Sequence, residues 1–138
     1  MHRALFLIVT ALGEVATGIA LLALPSAPLG LLLGVERGSP EVIFVARVAG
    51  AALLAIGAAC WLGRNDRGSP TQVGLLTGLL IYDLLAAGLL AYAAFFLSLS
   101  GVALWPAVLI HAALAVWCVL CFRCLTHERG TGTPETGA

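Results

Sequence analysis

Glu14, Arg47, Asp83 and His111 each stand as the main ionisable group inside a long apolar stretch of this sequence. Two carboxylates, an imidazole and a guanidinium could perform acid/base chemistry if the chain brought them to one place. A carboxylate or an imidazole moves protons, and a guanidinium holds a carboxylate or a polar head group. A charge in hydrocarbon costs about 2.5–3.5 kcal/mol even on the lenient insertion scale, so these groups are expected to turn inward and meet. Tyr82 lies about 100° around its helix from Asp83 and is expected to border the same cavity. Glu14, Asp83 and His111 are therefore the candidate catalytic residues, with Arg47 and Tyr82 as candidate ligand-binding residues.

The same constellation has a purely structural reading. Arg47 would pair with Glu14 or Asp83, His111 would satisfy the other carboxylate, and the network would fix helix order. No metal ligand set is assigned to these residues, because Arg47 competes for the carboxylates and one histidine is thin. Small residues flank most of the polar ones, as close helix approach requires: Thr17 and Gly18 near Glu14, Gly50 and Ala51 near Arg47, Ala107 and Ala115 near His111.

The cysteines form the second constellation. Cys118, Cys121 and Cys124 run as C-x-x-C-x-x-C with His127 three residues on, and Cys60 closes an earlier apolar stretch. Thiolates at this spacing can handle soft metals. On a helix, however, successive members drift by about 60°, so three thiols do not converge readily on one ion. Packing is the simpler role for them, and soft-metal handling is the alternative.

Positioning these groups requires helices in a membrane. The chain has 138 residues, 61% hydrophobic and 10% charged. Its mean hydropathy is +1.05. An average soluble domain carries about 25% charged residues. Arginine supplies every basic side chain other than histidine and the formal net charge is zero, so no basic tract exists to neutralise nucleic-acid phosphates. A membrane span needs about 20 apolar residues. Four windows meet that length: Ala4 to Leu24, Val42 to Leu62, Val73 to Leu97 and Val102 to Phe122. They are long, rich in Ala and Leu, and lack the alternation of barrel strands. The first is too long for a signal peptide, is interrupted by Glu14 and is followed by Pro25 and Pro28. The expected fold is an all-α, integral membrane four-helix bundle over residues 1–125, with a disordered tail over 126–138.

Between the first two spans, Leu29 to Val35 reads LGLLLGV. This run is too short to span and is expected to lie at the outer interface or against the bundle mouth. Counted from the outer helix ends, Glu14 is about 15 Å deep, His111 about 14 Å, Arg47 about 8 Å and Asp83 about 21 Å. Arg3, Arg64, Arg67, Arg123 and Arg129 fall on one side of the spans and Arg37 on the other, which predicts both termini in the cytoplasm. Residues 18–23 read GIALLA and residues 50–55 read GAALLA, an echo that an Ala- and Leu-rich composition produces by itself.

Three features resemble small bacterial four-helix membrane proteins of the DoxX-like kind. The first span ends in Leu24-Pro25, a short apolar outer segment follows, and the second span opens with Arg47 in the run Ala46-Arg47-Val48-Ala49-Gly50-Ala51-Ala52. The resemblance implies a four-helix bundle in the bacterial inner membrane and an association with quinones or with a larger membrane complex. It assigns no site residue. No phosphate-binding loop, nucleophile elbow or H-E-x-x-H motif occurs. The expected partners are the bilayer, a small quinone- or isoprenoid-like molecule, and a membrane protein complex or homo-oligomer. The rival expectation is a non-catalytic accessory subunit. The sequence assigns no cofactor and does not establish whether the protein is an enzyme.

Overall fold

The computed structural model describes residues 2–35, 38–66 and 68–130, with side chains described as far as residue 124. Five helices occur there: α1 (His2–Ala23), α2 (Ser26–Leu33), α3 (Pro40–Gly63), α4 (Pro70–Phe96) and α5 (Leu104–Gly130). Four of them are long and apolar enough to cross a membrane, and α2 is the short outer segment. The chain is an all-α integral membrane four-helix bundle. Its outward surface carries residues such as Leu12, Phe44, Leu89 and Leu109, a surface for lipid rather than water.

Local chemistry sets the helix ends. Ser39 and Ser69 cap α3 and α4, and each is followed by proline at the first helical position. Pro40 and Pro70 therefore begin helices, and α3 and α4 start earlier than hydropathy alone places them. In the second connection, Gln72 donates to the Asp66 carbonyl at 2.9 Å and accepts from the Gly68 amide at 2.9 Å. The Ser69 hydroxyl donates to the Asp66 carboxylate. α2 begins three residues before the expected apolar run and stops at Gly34, whose φ of 72° is the left-handed conformation glycine tolerates. α5 continues to Gly130, past the expected boundary at 125. The side chains of His127 and Arg129 lie outside the described residues, as do Arg37, Arg67 and the rest of the tail.

Packing divides the bundle into two close pairs, α1 with α3 and α4 with α5, joined along looser seams. Small residues make the first pair. A Cβ at Gly18 would stand 2.8 Å from the Gly50 carbonyl oxygen, and one at Gly50 would stand 2.8 Å from the Gly18 carbonyl oxygen. A Cβ at Gly57 would meet Val15 at 2.7 Å. In lipid, where apolar surface gains nothing by leaving its surroundings, this close backbone approach is what holds helices together. The face of α3 that meets α1 is therefore the line Ala46, Gly50, Gly57 and Cys60, all buried.

The buried core lies toward the terminal end. Phe6, Leu7 and Ala11 of α1 meet Cys60 of α3, Leu76 and Leu79 of α4, and Cys118 and Cys121 of α5. The Phe6 and Trp117 rings pack edge to face at 5.6 Å, which brings the start of α1 to the last part of α5. The opposite half, under α2, is not filled in this way.

Overpacking at a backbone contact costs about 1–3 kcal/mol. Gly50→Val is therefore expected to lower the thermal midpoint in detergent clearly. Gly78→Ala has no atom within 4 Å of the added Cβ, and should leave the midpoint unchanged or raise it. Equal effects of the two substitutions would show that the α1–α3 contact does not hold the pair.

Candidate functional site

The polar residues meet where the filled half of the bundle ends. Asp83 on α4 is 0% exposed, and its Oδ1 lies 2.9 Å from His111 Nδ1 on α5. With Asp83 as the acceptor, Nδ1 carries the proton and donates it. The other ring nitrogen, Nε2, has no hydrogen-bond partner among the described residues. On the diagonal of the bundle, the Tyr82 hydroxyl donates to Glu14 Oε2 at 3.3 Å. The Tyr82 and His111 rings meet edge to face at 5.5 Å, which ties the two polar pairs together. Glu14 lies within Coulombic range of both His111 and Asp83.

Glu14, Tyr82, Asp83 and His111 thus form the expected cluster. Asp83 was expected deeper than His111, yet the two touch. α4 reaches further toward the α2 end of the bundle than α5 does, so the helix ends are not a common zero.

Arg47 departs from the expectation. It was to hold a carboxylate ionised, but it is exposed on α3 and has no ion-pair partner among the described residues. It lies about 100° around the helix from Ala46. The small residues that α1 needs occupy the inward face, and the guanidinium is left on the flank among the exposed Phe44, Val45 and Val48. Cys60 also departs. It lies on the line of small residues that meets α1, not on the Arg47 flank, and is fully buried.

Beside the cluster a half-enclosed cavity of about 510 Å³ opens between α1 and α5. Small-molecule pockets span roughly 300–1,000 Å³. Val9, Ala20, Leu90, Ile110 and Leu114 form apolar walls, and Pro28, Leu31 and Leu32 of α2 form a roof. The Ala103 amide donates to the Leu31 carbonyl at 2.8 Å and fixes that roof to the start of α5. The approach is so close that a Cβ at Gly101 would lie 2.2 Å from the Leu31 oxygen. Glu14, Tyr82, His111, Thr10 and Thr17 supply the polar lining. A second gap, of about 460 Å³ between α3 and α4, has Tyr82 as its one polar liner among the described residues.

Asp83 does not line the cavity. It stands behind His111, to which it is hydrogen-bonded, whereas Glu14 and His111, the other two candidate catalytic residues, reach the space. Thr10 shares the Glu14 face of α1, one turn below. It is 2% exposed and its hydroxyl has no partner among the described residues. The i, i+4 spacing from Glu14 was its one sequence signal. Gln72, buried under the second connection, had none.

The cysteines divide as helix geometry requires. Cys118 and Cys121 are buried in the core and Cys124 is exposed, and the Cys118 thiol donates to the Leu76 carbonyl at 3.3 Å. Among the described residues, no three histidine, cysteine or acidic side chains stand close enough to hold a metal ion.

No family model, no curated protein and no solved structure matches the chain. The site therefore rests on its own geometry.

The contact between Asp83 and His111 has a direct energetic signature. Asp83→Ala and His111→Ala should each lower thermal stability, and the double variant should cost less than their sum, with a coupling of about 0.5–3 kcal/mol. Additive losses in a double-mutant cycle would show that the two side chains do not interact.

Proposed function

We propose that this membrane protein binds, and through Glu14 and His111 acts on, a small lipophilic molecule whose polar head rests on the cluster and whose apolar body fills the space beneath α2. The observation that carries this reading is the cavity itself: apolar walls, a polar floor and an opening between two membrane-spanning helices. Quinone-like and isoprenoid-like molecules have the required size and apolarity. Asp83 fixes the ring and tautomer of His111, as carboxylates do for imidazoles at catalytic and metal sites. Tyr82 holds one oxygen of Glu14 and leaves the other open to the ligand. Membership of the DoxX-like group and residence in a bacterial inner membrane with both termini cytoplasmic belong to the same proposal. They are supported by the LP-plus-outer-segment pattern and by the distribution of arginine.

Arg47 favours a second reading. A guanidinium on a lipid-facing flank is costly unless it snorkels to the interface or meets a partner protein. An accessory subunit that docks through this side of α3, or a homo-oligomer, would account for it.

Ala107 lies one turn from His111 and lines the cavity. Ala107→Phe should fill the space above the cluster and leave the core untouched. The test is mass spectrometry of organic extracts from the purified protein. A lipophilic compound should accompany the wild-type chain in near-stoichiometric amount and be depleted at least severalfold in the variant. Equal recovery from both would sink the binding reading. Orientation is checked separately. Reporter fusions after Arg37 should read as external and fusions after Arg67 and Arg129 as cytoplasmic; the reverse pattern would overturn the arginine-based assignment.

A further inference from the structure

The hydrogen-bonding inventory of the cavity floor restricts what kind of head group it can take. Glu14 Oε1 has no partner among the described residues, because Tyr82 occupies only Oε2. His111 Nε2 is left as an acceptor once Nδ1 donates to Asp83. The third group belongs to Thr10, a residue 2% exposed that lines the same cavity and whose buried Oγ1 has no partner among the described residues. Leaving a buried hydroxyl without a hydrogen bond is costly, so a native structure seldom leaves one without a use. Glu14 Oε1 and His111 Nε2 offer acceptors, and the Thr10 hydroxyl can accept or donate. The one phenolic donor nearby, Tyr82, is already engaged with Glu14.

Charge leads in the same direction. The cluster holds two carboxylates, Glu14 and Asp83, with one imidazole between them. The intramembrane guanidinium that could have balanced them, Arg47, is exposed on α3 and does not line the cavity. A quinone head offers only carbonyl acceptors and would find a single unengaged donor, the Thr10 hydroxyl, beside two acceptors. A carboxylate or phosphate head would add negative charge to an acidic floor in low dielectric.

We infer that the head group seated on this floor is a protonated amine, a primary ammonium carried on an apolar body. Its three N–H donors match Glu14 Oε1, Thr10 Oγ1 and His111 Nε2, and its charge opposes that of the carboxylates. The Tyr82 ring in the wall adds an aromatic surface that favours a cation. The inference rests on the cavity being a binding site and goes further by naming the chemical class of the head.

The experiment uses the full chain in nanodiscs of zwitterionic lipid. Its thermal midpoint is followed while decylamine, decanol, decanoate or decylubiquinone is added, with concentrations counted per lipid. Decylamine is expected to raise the midpoint saturably, with a half-saturating concentration about tenfold or more below that of decanol. Glu14→Gln and Thr10→Val should each weaken the decylamine effect, the first by about tenfold or more. Thr10→Val keeps the side-chain shape, so it remains informative even if Glu14→Gln fails to fold. If decanol or decylubiquinone matches or exceeds decylamine, the ammonium assignment is overturned while the cavity remains a lipophile site. If none of the four compounds shifts the midpoint, both readings fall together. An undiminished decylamine effect in Thr10→Val and in any folded Glu14→Gln would place the amine elsewhere and overturn the inference.

Discussion

Lipid gives helices no hydrophobic reason to associate, and the architecture of this protein follows from that constraint. Attraction has to come from close packing and from polar contacts. Gly18 and Gly50 meet that need by letting the backbones of α1 and α3 approach until each carbonyl occupies the space where a side chain would begin. The inward face of α3 is chosen by residue size. Charge has no vote in it, which is why Arg47 ends on the flank while Cys60, a small apolar residue at the other end of the helix, is buried.

A bundle built as two close pairs leaves seams between them. At the terminal end the seam is closed by Phe6, Leu7, Leu76, Leu79 and the buried cysteines. Toward α2 it opens into the cavity. Glu14, Tyr82, Asp83 and His111 sit at the change from filled to open, where their polar atoms can reach one another and all but Asp83 still line free space. The two polar pairs differ in kind. Asp83 and His111 belong to adjacent helices of one close pair, and Asp83 has no contact with the cavity. Tyr82 and Glu14 reach across the diagonal and join the two halves. One carboxylate is sealed behind an imidazole, and a second, next to it, stays open to the cavity.

α2 has no buried residue of its own, yet it defines the site. Gly34 ends it in the left-handed conformation, and Gly101 lets the start of α5 approach near enough for the Ala103 amide to reach the Leu31 carbonyl. That single backbone bond holds the apolar underside of α2 over the space between α1 and α5. An outer segment that looks incidental in the sequence is therefore part of the cavity wall.

The four spans, the short apolar segment between the first two, and Glu14, Tyr82, Asp83 and His111 as inward groups are legible in the sequence, which also placed Arg47 with them although it lies outside. Each is a consequence of composition over a window: enough apolar length to cross a bilayer, prolines and glycines between the spans, and polar side chains too costly to leave in hydrocarbon. Glu14, Tyr82, Asp83 and His111 were legible for that reason. Pairing was not. Which face of α3 turns inward depends on what α1 presents to it, and the GIALLA and GAALLA segments, which look like mere composition, begin with the two glycines that touch. Tertiary structure alone decided that His111 takes Asp83, that Tyr82 takes Glu14 and that Arg47 stays outside. It also left Thr10 unpartnered beside a cavity. A void and an unused hydroxyl are properties of the space between helices, and no single helix encodes that space.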